Sequence, residues 1–287
     1  MTTRTPVEKL LRRLELVPLA EDCFLGHTGR GEGRVFGGLL AAQGLVAAGR
    51  TVAAGTPHSL HLYFVRSGRH GMPITWSVTR VRDGFAFALR YAVGEQLGQV
   101  VLTLTASFTT QRSGCAHQDP MPDVPPPEGL DDWEDLRVQV LGPGTVRRPD
   151  GPLEVRDADP ASATPAAGRA ARRRLWLRPR EPLPDDPLVH AAVLAYATDR
   201  GLLSTAGRPH GLMWGAGLGA SLDHAVWFHA PARFDGWVLY DTTSPVAHAG
   251  RGLCHGALYD RDGVRIASVV QEGVIRVLPR RADPEEP

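Results

Sequence analysis

The stretch VFGGLLAAQGLVAA, residues 35–48, decides the fold of this chain. Leucine, valine and alanine occupy almost all of its positions, so a helix formed here has no polar face. A helix that is apolar on all sides has to be buried on all sides, which places it in the centre of a domain. We therefore expect a fold built around this helix, with Gly37 and Gly38 at its start.

Runs typical of β-strands follow the buried helix and predict the sheet that covers it. Alternating apolar and polar residues, or β-branched residues, occupy residues 58–65, 74–81, 85–93 and 99–109. The segment Arg82–Asp83–Gly84 predicts a tight hairpin, because Asp-Gly tolerates the positive φ that such turns need. A buried helix followed by a long antiparallel sheet is typical of the α+β class. Before the buried helix, residues 7–18 predict a short amphipathic helix.

The same succession of helix and strands starts again in the second half. Residues 188–203 form a second helix rich in alanine and leucine. Strands are predicted at 153–156, 174–178, 222–229, 236–241, 253–259 and 264–277. Each half also has an aromatic pair on a strand, Tyr63–Phe64 and Trp227–Phe228, and an Asp-Gly hairpin before its last strands. The repeat predicts two fused copies of one domain; chance similarity between two α+β domains is the alternative.

The repeat also predicts where the chain divides. We expect an N-terminal domain at residues 1–113, a linker at 114–150, a C-terminal domain at 151–280 and a tail at 281–287. Prolines and acidic residues crowd the linker, which predicts an irregular connection. Residues 157–171, rich in alanine, proline and arginine, predict a mobile loop.

Charge and cysteine content exclude several classes of function. The formal net charge is +1, so nothing predicts attraction to nucleic acid or to an anionic membrane. Three cysteines without a C-x-x-C motif predict neither a disulfide framework nor a zinc site, and we expect no metal and no cofactor. Neither a signal peptide nor an apolar run of about 18 residues is present. We therefore expect a cytoplasmic protein.

Three polar positions in the second half stand out from their apolar surroundings. Asp199 lies near the end of the second helix, where a carboxylate is costly unless it is hydrogen-bonded or functional; a solvent-facing helix end is the alternative. Ser221 is close to Asp223 and His224, but no G-x-S-x-G elbow presents it as a nucleophile, and we interpret the other two as turn and strand-start residues. Gln271 has a donor and an acceptor for a water molecule, and a cross-strand hydrogen bond explains it equally well.

Short motifs recur in a fixed order along both halves. They are RVFGG (34–38), Gln43, HSLHLYF (58–64), RDG (82–84) and ASF (106–108), then LAY (194–196) with Asp199, PHG (209–211), ASLDH (220–224), WFH (227–229) and QEG (271–273). In this order and spacing they resemble the type II acyl-CoA thioesterase family. The resemblance extends from about residue 20 to residue 277 and is weakest across the linker.

The resemblance implies both a fold and a reaction. The fold is a tandem, or double, hotdog, in which each half wraps an antiparallel sheet around a long central helix. The family's catalytic acid falls at Asp199, its Thr or Ser at Ser221 and its glutamine at Gln271. The substrate implied is acyl-CoA, hydrolysed to free acid and CoA. The matching helix of the first half carries Gln43 and no acid, so we expect one active site per chain, and fused hotdogs commonly associate into dimers or tetramers.

These residues suggest a mechanism based on water. Asp199 accepts a proton from the attacking water, while Ser221 and Gln271 fix its position. The backbone N–H of Gly38 is a candidate donor to the oxyanion, helped by the helix dipole; close packing is the alternative reason for a glycine there. His58 is the runner-up catalytic residue, because histidine titrates near neutrality, and a candidate for substrate contact, but we interpret it instead as a structural histidine at a strand start.

Two other functions stay open at this point. A hotdog enoyl-thioester hydratase or dehydratase would use an acid and a histidine on the acyl chain, and a non-catalytic acyl-CoA binding module would bind without turnover. The residues that hold the CoA phosphates are not identifiable from the sequence. Arg172 to Arg174 are candidates, although a mobile loop is the simpler interpretation of that region.

Overall fold

The structure is a computed structural model that describes residues 4–110, 113–159, 168–212, 218–231 and 233–275. Helices in these ranges are α1 (Pro6–Leu14), α2 (Gly37–Gly49), α3 (Trp133–Leu141), α4 (Pro187–Thr198) and α5 (Leu202–Gly207). Strands are β1 (Val17–Ala20), β2 (Cys23–Gly26), β3 (Thr56–Phe64), β4 (Ile74–Asp83), β5 (Phe87–Gln96), β6 (Gln99–Thr109), β7 (Leu153–Asp157), β8 (Arg172–Pro179), β9 (Leu218–Ser221), β10 (Asp223–Phe228), β11 (Val238–His248), β12 (Arg251–Tyr259) and β13 (Arg265–Ile275).

The described strands form one antiparallel sheet with the order β1-β2-β4-β5-β6-β3-β10-β13-β12-β11-β8-β7, and β9 pairs with β13. Each half of this order has the same connectivity. In both, the innermost strand is the first strand of this order after the central helix, with β9 an addition in the second half. The last strand of each half lies next to the innermost one, and the two strands before the helix lie at the outer edge. The identical connectivity confirms the predicted α+β class and the predicted tandem hotdog fold.

The two halves meet along their innermost strands and their central helices. Strands β3 and β10 pair antiparallel, from Tyr63 opposite Asp223 to Ser59 opposite Trp227. All residues of α2 from Gly38 to Ala48 are buried, as the absence of a polar face requires. Because α2 and α4 lie against each other inside the wrapped sheet, the end of one helix is close to the start of the other.

Three local predictions were wrong, each for a local reason. The first helix ends at Leu14 and not at residue 18, because the proline at position 18 favours extended backbone at Val17. The hairpin at Gly84 does not use a positive φ, whereas Gly263 in the second hairpin does, at 82°. The second helix ends at Thr198, since Gly201 adopts a left-handed conformation with φ 79° before α5 begins.

The linker is more ordered than its composition predicts. It contains α3, which begins after Asp132, whose side chain accepts a hydrogen bond from the Glu134 N–H at 2.8 Å. The Arg173 guanidinium lies 3.5 Å from the centre of the Trp133 ring, and the Trp176 indole donates to the Pro125 carbonyl at 2.9 Å. Proline disrupts regular structure but does not prevent docking, so this segment packs on the C-terminal sheet.

Parts of two predictions lie outside the described residues. The predicted loop at 157–171 includes residues 160–167, and the predicted tail at 281–287 follows the last described residue. In the part of the chain that is described, no helix combines the length and the apolar character needed to cross a bilayer. The same part holds no group of three or more His, Cys, Asp or Glu residues arranged for a metal ion.

Candidate active site

Three separate elements bring Asp199, Ser221 and Gln271 together. Asp199 is the residue that caps the C-terminus of α4, Ser221 ends β9 and Gln271 lies in the middle of β13. The Ser221 hydroxyl donates to Asp199 Oδ1 over 3.4 Å, and the Gln271 amide Nε2 donates to Ser221 Oγ. The acid, the hydroxyl and the amide predicted from the sequence therefore form one connected cluster.

The register of the sheet explains why Gln271 and Ser221 meet. Ser221 pairs with Gly273, and side chains alternate between the faces of a strand, so Gln271 points to the same inner face as Gly273. Gln271 is fully buried there. The Glu272 N–H donates to the Asp223 carboxylate at 2.7 Å, which holds β13 against the start of β10. Asp223 thus has a structural role, as its interpretation as a strand-start residue predicts.

The start of α2 contacts the carboxylate from the other half of the chain. The Gly38 N–H donates to Asp199 Oδ2 at 2.8 Å. A Cβ at Gly38 would lie 2.5 Å from the Tyr196 carbonyl oxygen and 2.5 Å from the Phe36 ring, so only glycine permits this approach. In this structure the Gly38 N–H is donated to the carboxylate and is not directed at an open oxyanion position.

The surroundings of Asp199 bring its pKa near neutrality. Removal of the carboxylate from water raises its pKa from 3.8 to about 7. Hydrogen bonds from the Gly38 N–H, Gln271 and Ser221 favour the charged form and limit the rise. A carboxylate with a pKa near 7 is a stronger base than an ordinary aspartate and is still substantially ionised at neutral pH.

A buried histidine supports the glutamine and was missed by the sequence analysis. The His224 ring Nδ1 lies 2.8 Å from Gln271 Oε1, and its Nε2 lies 2.9 Å from the Thr198 hydroxyl. Burial lowers the pKa of His224 to about 4, so the ring is neutral. The contact between Nδ1 and Oε1 fixes the amide group of Gln271, whose Nε2 is turned toward Ser221. The alternation of buried residues along β10, which includes Val226 and Phe228, is the signal that identifies His224 as inward-facing.

A cavity of about 480 Å³ opens beside the cluster. Asp199 and Ser221 contribute to its wall. Its apolar lining includes Phe36, Leu40, Phe64, Leu203 and Leu222, and Arg34 and Arg66 line it as well. The cavity therefore combines a basic carboxylate, a hydroxyl and an apolar surface, which suits a substrate with an acyl chain and one reactive polar group.

His58 is not part of this cluster. It lies at the start of β3, where its Nε2 is 2.8 Å from the Ser107 hydroxyl and its ring packs edge-on against Phe87. Because β3 and β10 run antiparallel, His58 is opposite the far end of β10, about 20 Å from Ser221 along the strand. His58 therefore lies apart from the cluster, and its contacts fit the interpretation as a structural histidine at a strand start.

Gln43 has only structural contacts in the first half. Its amide Nε2 donates to the carbonyl oxygens of Arg13 and His27 at 2.7 Å and 3.0 Å. Its Oε1 accepts from the Trp76 indole at 3.2 Å. These bonds tie α1, the residue after β2 and β4 to α2, and in the described part of the chain none of the hydrogen bonds of the Gln43 side chain goes to an acid.

Comparisons with known proteins show which family and which solved structures this chain is similar to. Two family models match, "Acyl-CoA thioesterase N-terminal domain" over residues 27–109 and "Acyl-CoA thioesterase" over residues 153–274. Mouse acyl-coenzyme A thioesterase 8 is 39% identical over 93% of this chain and 88% of its own length. Acyl-CoA thioesterase 2 of Haemophilus influenzae is 31% identical over 94% and 98%. The crystal structure of an acyl-CoA thioesterase II, TesB2, from Mycobacterium marinum superposes with a TM-score of 0.79 at 38% identity, covering 96% of this chain and all of that one.

Proposed function

The chain belongs to the acyl-CoA thioesterase family, and on this premise we propose that it hydrolyses acyl-CoA with a water molecule that Asp199 activates. The observation that carries the proposal is the convergence of Asp199, Ser221 and Gln271 beside one cavity. The products are a free carboxylic acid and CoA. No metal or cofactor has a part in the proposed steps.

The reaction has two steps in this proposal. Asp199 takes a proton from the water molecule while the water oxygen attacks the thioester carbonyl carbon, which gives a tetrahedral oxyanion. The C–S bond then breaks, and the CoA thiolate leaves and receives the proton that Asp199 holds. Ser221 and Gln271 hold the water in line with the carbonyl, so part of the acceleration is positional.

The start of α2 provides the positive potential that the oxyanion needs. We expected the Gly38 N–H to be the donor, but its bond to Asp199 supports a role in holding the base. The preceding N–H, of Gly37, has no acceptor within the helix, because the first turn of a helix leaves its donors free. Gly37 lines the cavity, and we assign the oxyanion contact to this end of α2, with Gly37 as the nearest donor and the helix dipole behind it.

Two alternatives receive less support. A hydratase needs a histidine directed at the acyl chain, whereas His224 is directed at Gln271 and Thr198 and is not among the described residues that line the cavity. A pure binding module has no use for a carboxylate whose pKa is raised to about 7. Release of free CoA thiol from acyl-CoA separates hydrolysis from both.

A single turnover in ¹⁸O-labelled water tests the direct attack by water. With enzyme in excess over acyl-CoA, we expect one ¹⁸O atom in the carboxylic acid formed in the first turnover. If Asp199 attacked the carbonyl itself, the CoA thiolate would leave and an acyl–aspartyl anhydride would form, and attack by water at the aspartyl carbon of this anhydride would leave an unlabelled Asp199 oxygen in the first product. Mass spectrometry of the acid distinguishes the two. A first product without the label would exclude direct attack by water on the thioester, while the proposal that the protein hydrolyses acyl-CoA would stand.

The pH dependence follows from the pKa of Asp199. The base has to be ionised, so we expect kcat/KM to fall as pH decreases, along a limb with an apparent pKa of about 7. An ordinary aspartate would place this limb near 4. Rates of thiol release between pH 5 and pH 9 measure it, with protein stability followed at each pH. A profile that is flat down to pH 5 would exclude Asp199 as the base.

We propose that the protein acts in the cytoplasm as a homo-oligomer, a dimer or a tetramer. Its cysteines Cys23, Cys115 and Cys254 are free, as a reducing compartment favours. Fused hotdogs have a large outer sheet surface, and Tyr63 on that surface is 64% exposed. We also propose that the chain divides into an N-terminal domain at residues 1–113, a linker at 114–150 and a C-terminal domain at 151–280. Light scattering in solution measures the oligomeric state.

A further inference from the structure

A basic groove leads away from the catalytic cavity. Arg34, three residues before α2, and Arg66, two residues after β3, are exposed and line the same cavity as Asp199. A second cavity of about 530 Å³ is lined by the same two arginines and continues past Arg69. The two cavities also share Ser67 and Gly68. They therefore adjoin and form one path from the reaction centre to the surface.

The backbone places two of these arginines side by side. Arg34 and Arg69 form an isolated antiparallel bridge, supported by the Val35 N–H, which donates to the Gly68 carbonyl at 2.9 Å. Residues directly opposite each other in such a bridge have their side chains on one face, with Cβ atoms about 5 Å apart. Two positive charges opposite each other destabilise the pair unless an anion lies between them.

No acidic side chain of the described residues neutralises this group. None of the ion pairs in the described part of the chain includes Arg34, Arg66 or Arg69. One Arg66 nitrogen, Nη1, donates to the Val100 carbonyl at 2.9 Å. This bond orients the guanidinium and leaves its other N–H groups for a ligand.

The arginines considered from the sequence alone are engaged elsewhere. Arg172 and Arg174 contact Asp241 at 2.6 Å and 3.4 Å, and Arg173 contacts Asp157 at 3.3 Å while both are buried. Carboxylates already neutralise these three cations, so they are not the phosphate site. By contrast, Arg34, Arg66 and Arg69, beside the catalytic cavity, form no ion pair with a carboxylate of the described residues.

We propose that Arg34, Arg66 and Arg69 bind the phosphate groups of the CoA part of the substrate. The inference rests on the proposed function. A guanidinium matches phosphate oxygens with two parallel N–H donors, and CoA is a thioester carrier whose far end bears a diphosphate and a 3′-phosphate. The pantetheine arm then follows the groove between the arginines and Asp199. These arginines position the substrate and take no part in the chemical step.

Acyl-CoA and the matching acyl-pantetheine, which lacks all phosphates, test the proposal. We expect Arg34→Gln and Arg66→Gln each to raise KM for acyl-CoA about 10-fold, since each removes a charge-assisted hydrogen bond. We expect kcat to change little. For acyl-pantetheine the kinetic constants of the variants should equal those of the unmodified protein.

Arg82→Gln is the matched control. Arg82 lies on β4 and is exposed beside the Asp83–Gly84 turn, near the end of β3 that is remote from Phe64. Its replacement should change the KM of neither substrate. Equal losses with both substrates in Arg34→Gln and Arg66→Gln would overturn the phosphate contact. So would identical KM values of the unmodified protein for acyl-CoA and acyl-pantetheine.

Binding of free CoA separates this inference from the proposed mechanism. Calorimetry on the Asp199→Asn variant, with and without Arg66→Gln, measures CoA affinity without turnover. We expect about 10-fold weaker binding when Arg66 is replaced. This result supports the phosphate site even if Asp199 proves not to be the base, whereas unchanged affinity rejects the site and leaves the mechanism unaffected.

Discussion

Replacing Asp199 by asparagine is expected to lower kcat for acyl-CoA hydrolysis by about 10²-fold or more, the usual contribution of a general base. Asparagine keeps the shape of the side chain and can still accept the Gly38 N–H, but it cannot take a proton from water. KM should change much less, because the cavity wall is preserved. Thiol release under saturating acyl-CoA measures the effect.

The same substitution should stabilise the folded protein above neutral pH. Since burial raises the folded-state pKa of Asp199 to about 7, the folded state binds its proton more tightly than the unfolded state. Stability is therefore lost as pH rises from about 4 to 7 and stays reduced above that. Removing the charge should raise the free energy of unfolding at pH 8 by about 1–3 kcal/mol. Urea unfolding at pH 8 and at pH 5 measures this, and the gain should be smaller at pH 5.

Asp186→Asn is the control on the same helix. Asp186 caps the start of α4 by accepting from the Leu188 N–H at 2.8 Å, and asparagine is an equally good cap. This variant should keep both turnover and stability. A near-normal kcat of the Asp199→Asn variant would show that the carboxylate has no part in the chemical step. A loss of stability in this variant would show that the hydrogen bonds to the Asp199 carboxylate stabilise its charge more than its pKa indicates.

Replacing Gly38 by alanine is expected to reduce kcat/KM by about 10–100-fold, on the scale of a misplacement of about 1 Å at a catalytic group. The new methyl group would lie 2.5 Å from the Tyr196 carbonyl oxygen, a backbone atom that cannot rotate away. The start of α2 has to move away from the end of α4, and the N–H bond to Asp199 is lost with it. We also expect a loss of stability of about 1–3 kcal/mol from overpacking.

Gly236→Ala provides the comparison for this effect. A Cβ at Gly236 meets no atom within 4 Å, and its φ is not in the positive range, so alanine there should be neutral in both assays. Thermal unfolding and thiol release on the two variants give the contrast. If Gly38→Ala behaved like Gly236→Ala, close contact between α2 and Asp199 would have no role in stability or catalysis.

Most elements were predictable because their signals are local. The long β-branched run of β6 predicted its limits, 99–109, as the structure has them, and the apolar helix is buried from Gly38 to Ala48. The ends of helices and strands were predicted wrongly where tertiary context or a special backbone angle decided them, as at Gly201. The packing of α3 on the C-terminal sheet was not predicted, for a related reason. The hydrophobic pattern of α3 is weak, and the helix is held by the contact of Trp133 with a buried arginine from a distant strand.

At the candidate active site, the family resemblance indicated which residues are involved, and the structure showed how their side chains contact each other. His224 was interpreted as a strand-start residue, since nothing in the sequence shows that it faces Gln271 across 47 residues. His58 was a candidate because of its residue type, and the direction of β3 places it away from the cluster. Arg34 and Arg69 form a pair only through a bridge between two segments that no sequence pattern connects.

The sequence by itself determined two α+β domains in one chain, because apolar helices and alternating strands depend on near neighbours in the sequence, and the family resemblance implied that these domains are hotdogs. The geometry of the proposed catalytic cluster was decided by the tertiary structure. Its contacts join Asp199 to residues 22 and 161 positions away, and they form where the second copy departs from the first. There the helix stops at Asp199, and α5 and β9 are inserted to present Ser221. Only the packing of α2 against α4 brings the Gly38 N–H to that carboxylate, and burial there, not residue type, raises its pKa toward 7.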